Sequence, residues 1–139
     1  MASANLALVR SIFAALERGD LLAALAWTDP EGELVMVGGP EPGVWKGRAE
    51  VELFARGFTS AWEELRIEAD EYRELDGERV LVFTHADGRG QASGVEIGHK
   101  GGVHLFEIRE GKVMRLVFYW DRERALADLE LVAEGDAML

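Results

Sequence analysis

Residues 103–121, VHLFEIREGKVMRLVFYWD, contain two segments in which apolar and polar residues alternate on either side of a short turn. The turn is formed by residues 109–112, REGK, in which Gly111 can adopt the positive φ that a short hairpin loop needs. Branched and aromatic residues in both segments are typical of half-buried strands. The stretch therefore predicts a β-hairpin near the end of the chain.

Period-two alternation predicts which face of this hairpin is buried. The inward face comprises His104, Phe106, Ile108, Met114, Leu116, Phe118 and Trp120. The outward face carries Val113, Val117 and Tyr119. A histidine thus shares an apolar face with a tryptophan, which makes His104 the first candidate for a functional side chain.

Length and composition limit the classes of function. The 139 residues predict a single domain over residues 1–139. The absence of cysteine excludes disulfides and thiolate metal sites, and the net charge of −11 disfavours binding to nucleic acid or to an anionic membrane. The N-terminal segment has charges within its apolar pattern and no basic stretch before it, so we predict neither a signal peptide nor a membrane span, and a cytoplasmic protein.

The rest of the chain supplies helices first and strands later. Apolar spacing predicts helices over residues 6–18 and 21–27, with Gly19 ending the first helix and Asp20 capping the second. A third helix of about fifteen residues follows Gly47. Strands are predicted over residues 33–37, 65–75, 78–87, 91–108 and 113–120, and a short helix over 122–132. This order predicts an α+β domain in which three N-terminal helices pack on a curved antiparallel or mixed sheet and enclose a pocket.

Aromatic residues of the third helix and of the last hairpin are predicted to line this pocket and to bind a small hydrophobic molecule. They are Phe54, Phe58, Phe106, Phe118 and Trp120. The stripe on the helix also has a purely structural interpretation, which apolar patterning favours in general, in which Phe54 and Phe58 belong to the core.

Four short motifs occur in order along the chain: Gly19-Asp20, residues 45–51 (WKGRAEV), residues 109–113 (REGKV) and residues 119–126 (YWDRERAL). In these motifs the chain resembles the NTF2-like superfamily of cone-shaped α+β domains, and within it the SnoaL-like group. The resemblance implies a pocket inside the cone and a homodimer formed through the outer face of the sheet. It does not imply one reaction, because this fold carries isomerases, cyclases, dehydratases, epoxide hydrolases and non-catalytic binding domains.

Ketosteroid isomerase has this type of fold and uses a carboxylate base together with a tyrosine and a protonated acid that bind the oxyanion. The corresponding positions fall near Gly38, Ile12 and Gly101, whose side chains can neither move a proton nor donate a hydrogen bond. Its pocket tryptophan alone has a counterpart, at Trp120. The resemblance therefore does not extend to that mechanism.

Polyketide cyclases and scytalone-dehydratase-like enzymes of the superfamily instead use histidines and a carboxylate, and the chain is similar to them in residue type alone. His85, His99 and His104 lie on neighbouring predicted strands, with His99 among glycines in an exposed loop or bulge. If His85 and His104 both faced the pocket, they could transfer protons near neutral pH. Residues 80–87 are equally apolar in both registers, so the orientation of His85 stays open.

Asp121 is a further candidate, because the resemblance implies catalytic acids near this position. Its alternative role is the N-cap of the helix that follows. No histidine pair has the H-x-x-x-H or H-x-H spacing of metal ligands, so neither a metal nor another cofactor is predicted.

These residues predict a small-molecule pocket protein with cofactor-free acid–base chemistry of the isomerase, cyclase or dehydratase type, acting on a hydrophobic carbonyl or hydroxylated ring compound. The predicted catalytic residues are His104, His85 and Asp121. The alternative is a non-catalytic ligand-binding or dimerisation module. An enzyme of this type needs at least two titratable groups that converge in the cavity, whereas a binding module needs one or none.

Overall fold

The structure of the chain, a computed structural model, describes residues 3–38, 42–90 and 96–129. Within these ranges the elements are α1 (Ala4–Glu17), α2 (Leu21–Leu25), β1 (Thr28–Val37), β2 (Gly43–Lys46), α3 (Arg48–Ala61), β3 (Trp62–Glu74), β4 (Arg79–Gly90), β5 (Glu96–Arg109), β6 (Lys112–Tyr119) and α4 (Arg122–Asp128). The strands form one sheet in the order β2-β1-β6-β5-β4-β3, in which β1 and β6 run parallel and the other neighbours antiparallel. The predicted α+β class, with helices on a curved mixed sheet, is confirmed. None of the helices in the described ranges is both long enough and apolar enough to cross a membrane.

Local capping sets the boundaries of the first two helices. α1 begins after Ser3, whose Oγ accepts a hydrogen bond from the Leu6 N–H at 3.0 Å. The helix ends before Gly19, which has the left-handed φ of 77° typical of a helix end. The Asp20 carboxylate then accepts a hydrogen bond from the Ala23 N–H at 3.0 Å, so the predicted cap of α2 is confirmed.

The last hairpin forms as predicted, except for one register shift near its turn. Gly111 has a φ of 75°, as the short loop requires. The pairing of β5 with β6 shifts between Glu107 and Ile108, which leaves two residues of β6 between successive inward positions. Val113 therefore packs in the interior, and Met114 lies beside a surface groove. This irregularity corrects the predicted faces of both residues.

The short strand β2 has no counterpart among the predicted elements. It pairs antiparallel with β1 at the edge of the sheet and places Trp45 opposite Leu34. Trp45 also packs on Phe54 of α3, with ring centroids 4.4 Å apart. Four residues give too little alternation for such a strand to be recognised from sequence.

Two clusters of buried residues fill the space between the helices and the inner face of the sheet. The first joins α1 and α2 to β4, β5 and β6 through Val9, Ile12, Phe13, Ala15, Leu16, Ala24, Val80, Val82, Phe106, Ile108 and Val113. The second joins α2 and α3 to β1 and β6 through Leu25, Leu34, Met36, Val51, Phe54, Ala55 and Phe118. Burial of each large apolar side chain contributes roughly 1.5–3 kcal/mol, so these clusters hold the helices on the sheet.

A third cluster lies on the outer face of the sheet, beneath α4. It comprises Leu81, Phe83, Val103, Leu105, Val117, Tyr119 and Ala125. The guanidinium groups of Arg73 and Arg122 lie over the Phe83 ring, 4.9 and 4.7 Å from its centroid. Burial in this cluster raises the pKa of Tyr119 above its usual value.

This third cluster corrects the prediction of an exposed outward face. Val117 and Tyr119 are on the outer side of the sheet, but they are buried within the chain, and Val113 belongs to the interior. The predicted homodimer thus loses the exposed apolar face that motivated it, and it stays a prediction.

Candidate functional site

A cavity lies where the two inner clusters meet, between the helices and the inner face of the sheet. The centre of a water-sized sphere can move through about 60 Å³ of this space, which leaves room for several water molecules. The described residues that line it are Ile12, Leu16, Ala24, Leu25, Leu34, Met36, Phe54, Ile67, His104, Phe106, Leu116 and Phe118. Among these described lining residues, His104 alone has a polar side chain.

His104 occupies the inner face of β5, opposite Val82 on β4 and Phe118 on β6. The residue is buried, with 4% of its surface exposed. Its ring centroid is 4.4 Å from that of Phe118 and 5.3 Å from that of Phe13, which meets it edge-on. The structure therefore places the imidazole in the wall of the cavity, held between aromatic rings of the sheet and of α1.

Burial lowers the pKa of His104 from 6.5 to about 3, because the charged form would lose its hydration in an apolar wall. None of the described carboxylates contributes a compensating shift. The ring is therefore neutral at pH 7, with one N–H and one lone pair. It can donate one hydrogen bond and accept another, but it does not attract an anion as an imidazolium would.

The polar contact of His104 is with Thr84 on β4. Thr84 Oγ1 lies 3.3 Å from His104 Nδ1, and Thr84 is 1% exposed. Thr84 lies opposite Gly102 on β5, where an added Cβ would be 3.1 Å from Thr84 Oγ1 and 3.2 Å from Phe118 Cε1. Gly102 thus leaves the space in which the hydroxyl and the phenyl ring approach His104.

His85 lies on the outer face of the sheet, away from His104. Its Nδ1 is 2.8 Å from Asp70 Oδ1, and its Nε2 is 3.5 Å from Glu68 Oε1. Because Thr84 faces inward, the next residue of the strand faces outward. The two histidines considered as an acid–base pair are therefore not brought together.

Asp121 is the N-cap of α4. It is exposed, and its carboxylate accepts a hydrogen bond from the Glu123 N–H at 3.1 Å. It is not among the residues that line the cavity. Asp121 therefore has the position expected of a helix cap, and it contributes no carboxylate to the cavity.

Three of the five aromatic residues predicted to bind a substrate line the cavity: Phe54, Phe106 and Phe118. Trp120 is half-buried and packs edge-on against Phe118, with ring centroids 6.0 Å apart, but it is not a lining residue. The side chain of Phe58 lies outside the described part of the structure.

Metal-ligating side chains are not clustered in the part of the chain that the structure describes: no three His, Asp or Glu residues there are grouped so that they could hold a metal ion. His99, predicted in an exposed loop or bulge, lies in β5, and its side chain is outside the described part.

Thr84 and Phe13 are site residues that the sequence analysis did not identify, although the sequence pattern indicates that each side chain faces the interior. Thr84 shares a period-two register with Val80 and Val82, and Phe13 lies on the apolar face of α1. Neither signal reveals which strand or helix lies next to which. Their contacts with His104 therefore need the tertiary structure.

The fold and the site define an α+β domain with helices on a curved mixed sheet and an apolar cavity between them. A family model described as the SnoaL-like domain matches residues 9–116, which is most of the chain. The chain belongs to the SnoaL-like domain family, and the resemblance predicted from its motifs is confirmed.

Solved structures have the same fold. An NTF2-like protein of unknown function from Burkholderia pseudomallei is 25% identical, with a TM-score of 0.75, and the match covers 91% of this chain and 97% of that protein. TerC, co-crystallised with polyporic acid, is 24% identical with a TM-score of 0.72, covering 93% and 98%. A protein named as a SnoaL-like polyketide cyclase from a Jannaschia species is 14% identical with a TM-score of 0.70, covering 83% of each chain. No curated protein matches the chain in sequence.

Proposed function

We propose that this domain binds a small, largely hydrophobic molecule in its cavity and contacts one polar atom of that molecule through His104. The observation that carries this proposal is the wall of the cavity, in which His104 is the one polar side chain among the described lining residues. Ligand sites commonly combine an apolar wall with a few polar groups that orient the ligand. The structural similarity to TerC, which was co-crystallised with polyporic acid, supports a small organic ligand.

The size of the cavity limits the ligand and its affinity. About 60 Å³ of the cavity is open to the centre of a water-sized sphere, which favours a small ligand over a large one. A ligand of about ten non-hydrogen atoms that gains roughly 0.4–0.6 kcal/mol per atom would have a dissociation constant of about 50 µM to 1 mM. Binding is therefore expected in a range that titration calorimetry or ligand-observed NMR can measure.

Ala24 allows a direct test of the cavity as the binding site. It lines the cavity and is buried, whereas Ala14 is exposed on α1. Ala24→Leu fills part of the cavity, and we expect it to weaken the binding of hydrophobic ketones and phenols by about tenfold or more, because a filled core site cannot also hold a ligand. Ala14→Leu adds the same atoms outside the cavity and should bind as the wild type does. Wild-type affinity in Ala24→Leu, or no binding of any compound to the wild type at millimolar concentration, would refute the proposal.

A second candidate is cofactor-free catalysis of an isomerisation, cyclisation or dehydration of a hydrophobic carbonyl or hydroxylated ring compound. The observation that favours it is the strongly lowered pKa of His104 within a cavity, since perturbed titratable groups concentrate at active sites. Against it, the described residues bring no second titratable group into the cavity. A base with so low a pKa is also a weak proton acceptor near neutral pH. Binding is therefore the function that the geometry supports best.

Turnover of compounds that bind distinguishes the two candidates. If the domain is an enzyme, NMR should detect conversion by the wild type, and His104→Gln should abolish it. His85→Gln is the matched control, because it removes a histidine from the outer face of the same sheet. If compounds bind to the wild type without conversion, the domain is a binding module and not an enzyme for those compounds. Equal loss of turnover in His104→Gln and His85→Gln would contradict the separation of the two histidines.

A further inference from the structure

We propose that Thr84 fixes the tautomer of His104, so that the ring offers an N–H to the ligand and the cavity selects compounds of the carbonyl class. Thr84 is a positioning residue in this arrangement, because it acts on the ligand only through His104. This selectivity deepens the proposed binding function and rests on it, since it requires a ligand inside the cavity.

Hydrogen-bond satisfaction decides which atom of the Thr84–His104 pair donates. Thr84 Oγ1 lies 3.3 Å from His104 Nδ1, and both residues are buried. No other hydrogen bond of the Thr84 hydroxyl or of the imidazole occurs among the described residues. Either tautomer leaves one donor without a partner among the described residues: the hydroxyl hydrogen if Nδ1 carries the proton, or the Nε2–H if Nε2 carries it. His104 lines the cavity, where a ligand or water can accept a hydrogen bond from its N–H, whereas Thr84 is not among the described lining residues, so an unpaired hydroxyl hydrogen is the more costly of the two. The hydroxyl therefore donates to Nδ1, and the proton of the ring is on Nε2.

The surroundings of the pair keep this geometry in place. Gly102 leaves room for the hydroxyl, because a Cβ there would be 3.1 Å from Thr84 Oγ1. The rings of Phe118 and Phe13, at 4.4 and 5.3 Å, limit the rotation of the imidazole. Burial keeps the ring neutral at pH 7, so its tautomer determines what it offers to a ligand. With Nδ1 engaged by Thr84, the Nε2–H is the polar group left for the ligand.

An N–H in an apolar wall selects its partner by hydrogen-bond type. A ketone oxygen accepts the hydrogen bond, an apolar ring of similar size makes none, and a ligand whose polar atom is itself an N–H meets a second donor. Indanone, indene and indole are three fused-ring compounds of similar size with these three properties. We expect indanone to bind about five- to tenfold more tightly than indene, and indole to bind no more tightly than indene.

The tautomer can be measured without a ligand. A long-range proton–nitrogen correlation spectrum of the isotope-labelled wild type at pH 7, assigned with His104→Gln, should show a lone-pair nitrogen at Nδ1 and an N–H nitrogen at Nε2. The reverse pattern would overturn the proposal. Thr84→Val removes the hydroxyl at nearly constant shape and should shift the Nδ1 resonance to lower frequency, toward the value of an N–H nitrogen, because the two tautomers then mix, whereas Thr84→Ser should keep it. An unmoved Nδ1 resonance in folded Thr84→Val would show that Thr84 contributes packing alone, which also overturns the proposal.

Binding of the three compounds to the same variants tests the ligand class. In Thr84→Val the ratio of the affinities for indanone and indene should fall to about twofold or less, and Thr84→Ser should restore it. If indene binds the wild type and indanone binds no more tightly, or if indole binds best, the selectivity is wrong while the proposed binding function stands. If none of the three binds but another hydrophobic compound does, the selectivity is wrong and the proposed binding function stands; if no compound binds at millimolar concentration, both fail.

Discussion

Thr84 and His85 are adjacent in sequence, yet their side chains lie on opposite faces of the sheet. Thr84 contacts His104 in the interior, whereas His85 Nδ1 contacts the Asp70 carboxylate outside. This alternation decides which histidine belongs to the cavity. It leaves His104 as the one titratable residue among the described lining residues, and burial makes it a neutral imidazole.

The burial of His104 leads us to expect a loss of stability in acid. In the unfolded chain a histidine takes up its proton below a pH of about 6.5, whereas His104 in the folded domain does so only below about 3. Between these values the unfolded state binds the additional proton, so the free energy of unfolding falls as the pH falls, by about 1.4 kcal/mol per unit. Over two pH units, from about 6.5 to about 4.5, His104 should contribute a loss of roughly 2–3 kcal/mol.

His104→Phe isolates this contribution, because it removes the titrating group and keeps an aromatic ring of similar size. Urea unfolding of both proteins at the two pH values should show that the wild type loses roughly 2–3 kcal/mol more than the variant. The carboxylates titrate in both proteins and cancel in the comparison. Equal losses would mean that His104 is protonated within the fold, contrary to its burial.

Asp121 allows capping to be separated from catalysis. Because its carboxylate accepts the Glu123 N–H at the start of α4, Asp121→Ala should lower the free energy of unfolding by about 1 kcal/mol and leave ligand binding unchanged. Asp121→Ser keeps an oxygen that can cap the helix and should lose much less. Urea unfolding and ligand titration measure the two effects. If Asp121→Ser kept its stability but lost binding or turnover, the carboxylate would have to reach the ligand.

Elements that depend on local signals could be predicted from sequence. Gly19 and Asp20 set the boundary between the first two helices, and Gly111 permits the turn of the last hairpin. Each of these signals acts within about four residues of its own position and needs no distant partner. The same holds for the inward orientation of His104, which follows from its alternation with Phe106.

Features that depend on distant partners could not be predicted in the same way. Period-two alternation assigns side chains to the two faces correctly only where strand pairing is regular. One register shift between β5 and β6 exchanges the faces of Val113 and Met114. An outward apolar residue is compatible with solvent, with a partner chain or with a covering helix. The sequence pattern therefore did not reveal that α4 covers Val117 and Tyr119.

The same limit applies to the candidate site. Both registers of residues 80–87 are equally apolar, so the choice between Thr84 and His85 as the inward residue depends on how β4 pairs with its neighbours. Once that choice is made by the sheet, the contact with His104 follows. Strand pairing thus determines which polar side chain contacts His104, and the residue pattern of a single strand does not reveal how that strand pairs.

Gly102 and Gly57 form a matched pair for testing the wall of the cavity. No described atom lies within 4 Å of a Cβ placed at Gly57 in α3, so Gly57→Ala should stabilise the domain by about 0.5–1 kcal/mol without changing ligand binding. At Gly102 the Cβ would press on Thr84 Oγ1 and on the Phe118 ring, at 3.1 and 3.2 Å. We expect Gly102→Ala to give no stabilisation and to weaken binding, because the groups that hold His104 must move.

Urea unfolding and titration with a cavity ligand compare the two glycine variants. The structure requires that they differ in both measurements, since the substitution is the same and only the surroundings change. If Gly102→Ala were stabilised as much as Gly57→Ala and bound the ligand unchanged, the groups around Gly102 could move without affecting the binding site.

The docking of α4 on the outer face depends on Ala125, which is 1% exposed, whereas Ala127 in the same helix is exposed. Ala125→Glu would bury a carboxylate against Phe83 and Tyr119, so the helix has to move away from the sheet. We expect urea unfolding to show a loss of about 2–3 kcal/mol, against less than about 0.5 kcal/mol for Ala127→Glu. Equal effects of the two substitutions would mean that α4 does not pack on the sheet through Ala125.

Sedimentation of these two variants and of the wild type tests the role of the same face in self-association. If α4 covers the face within one chain, Ala125→Glu uncovers Phe83, Val117 and Tyr119, and an uncovered apolar patch favours association. We therefore expect Ala125→Glu to associate more strongly at micromolar concentration than Ala127→Glu and the wild type. If instead the wild type is a dimer and Ala125→Glu a monomer, then α4 and the surface around it form the dimer interface, and the homodimer predicted from the sequence uses this side of the sheet.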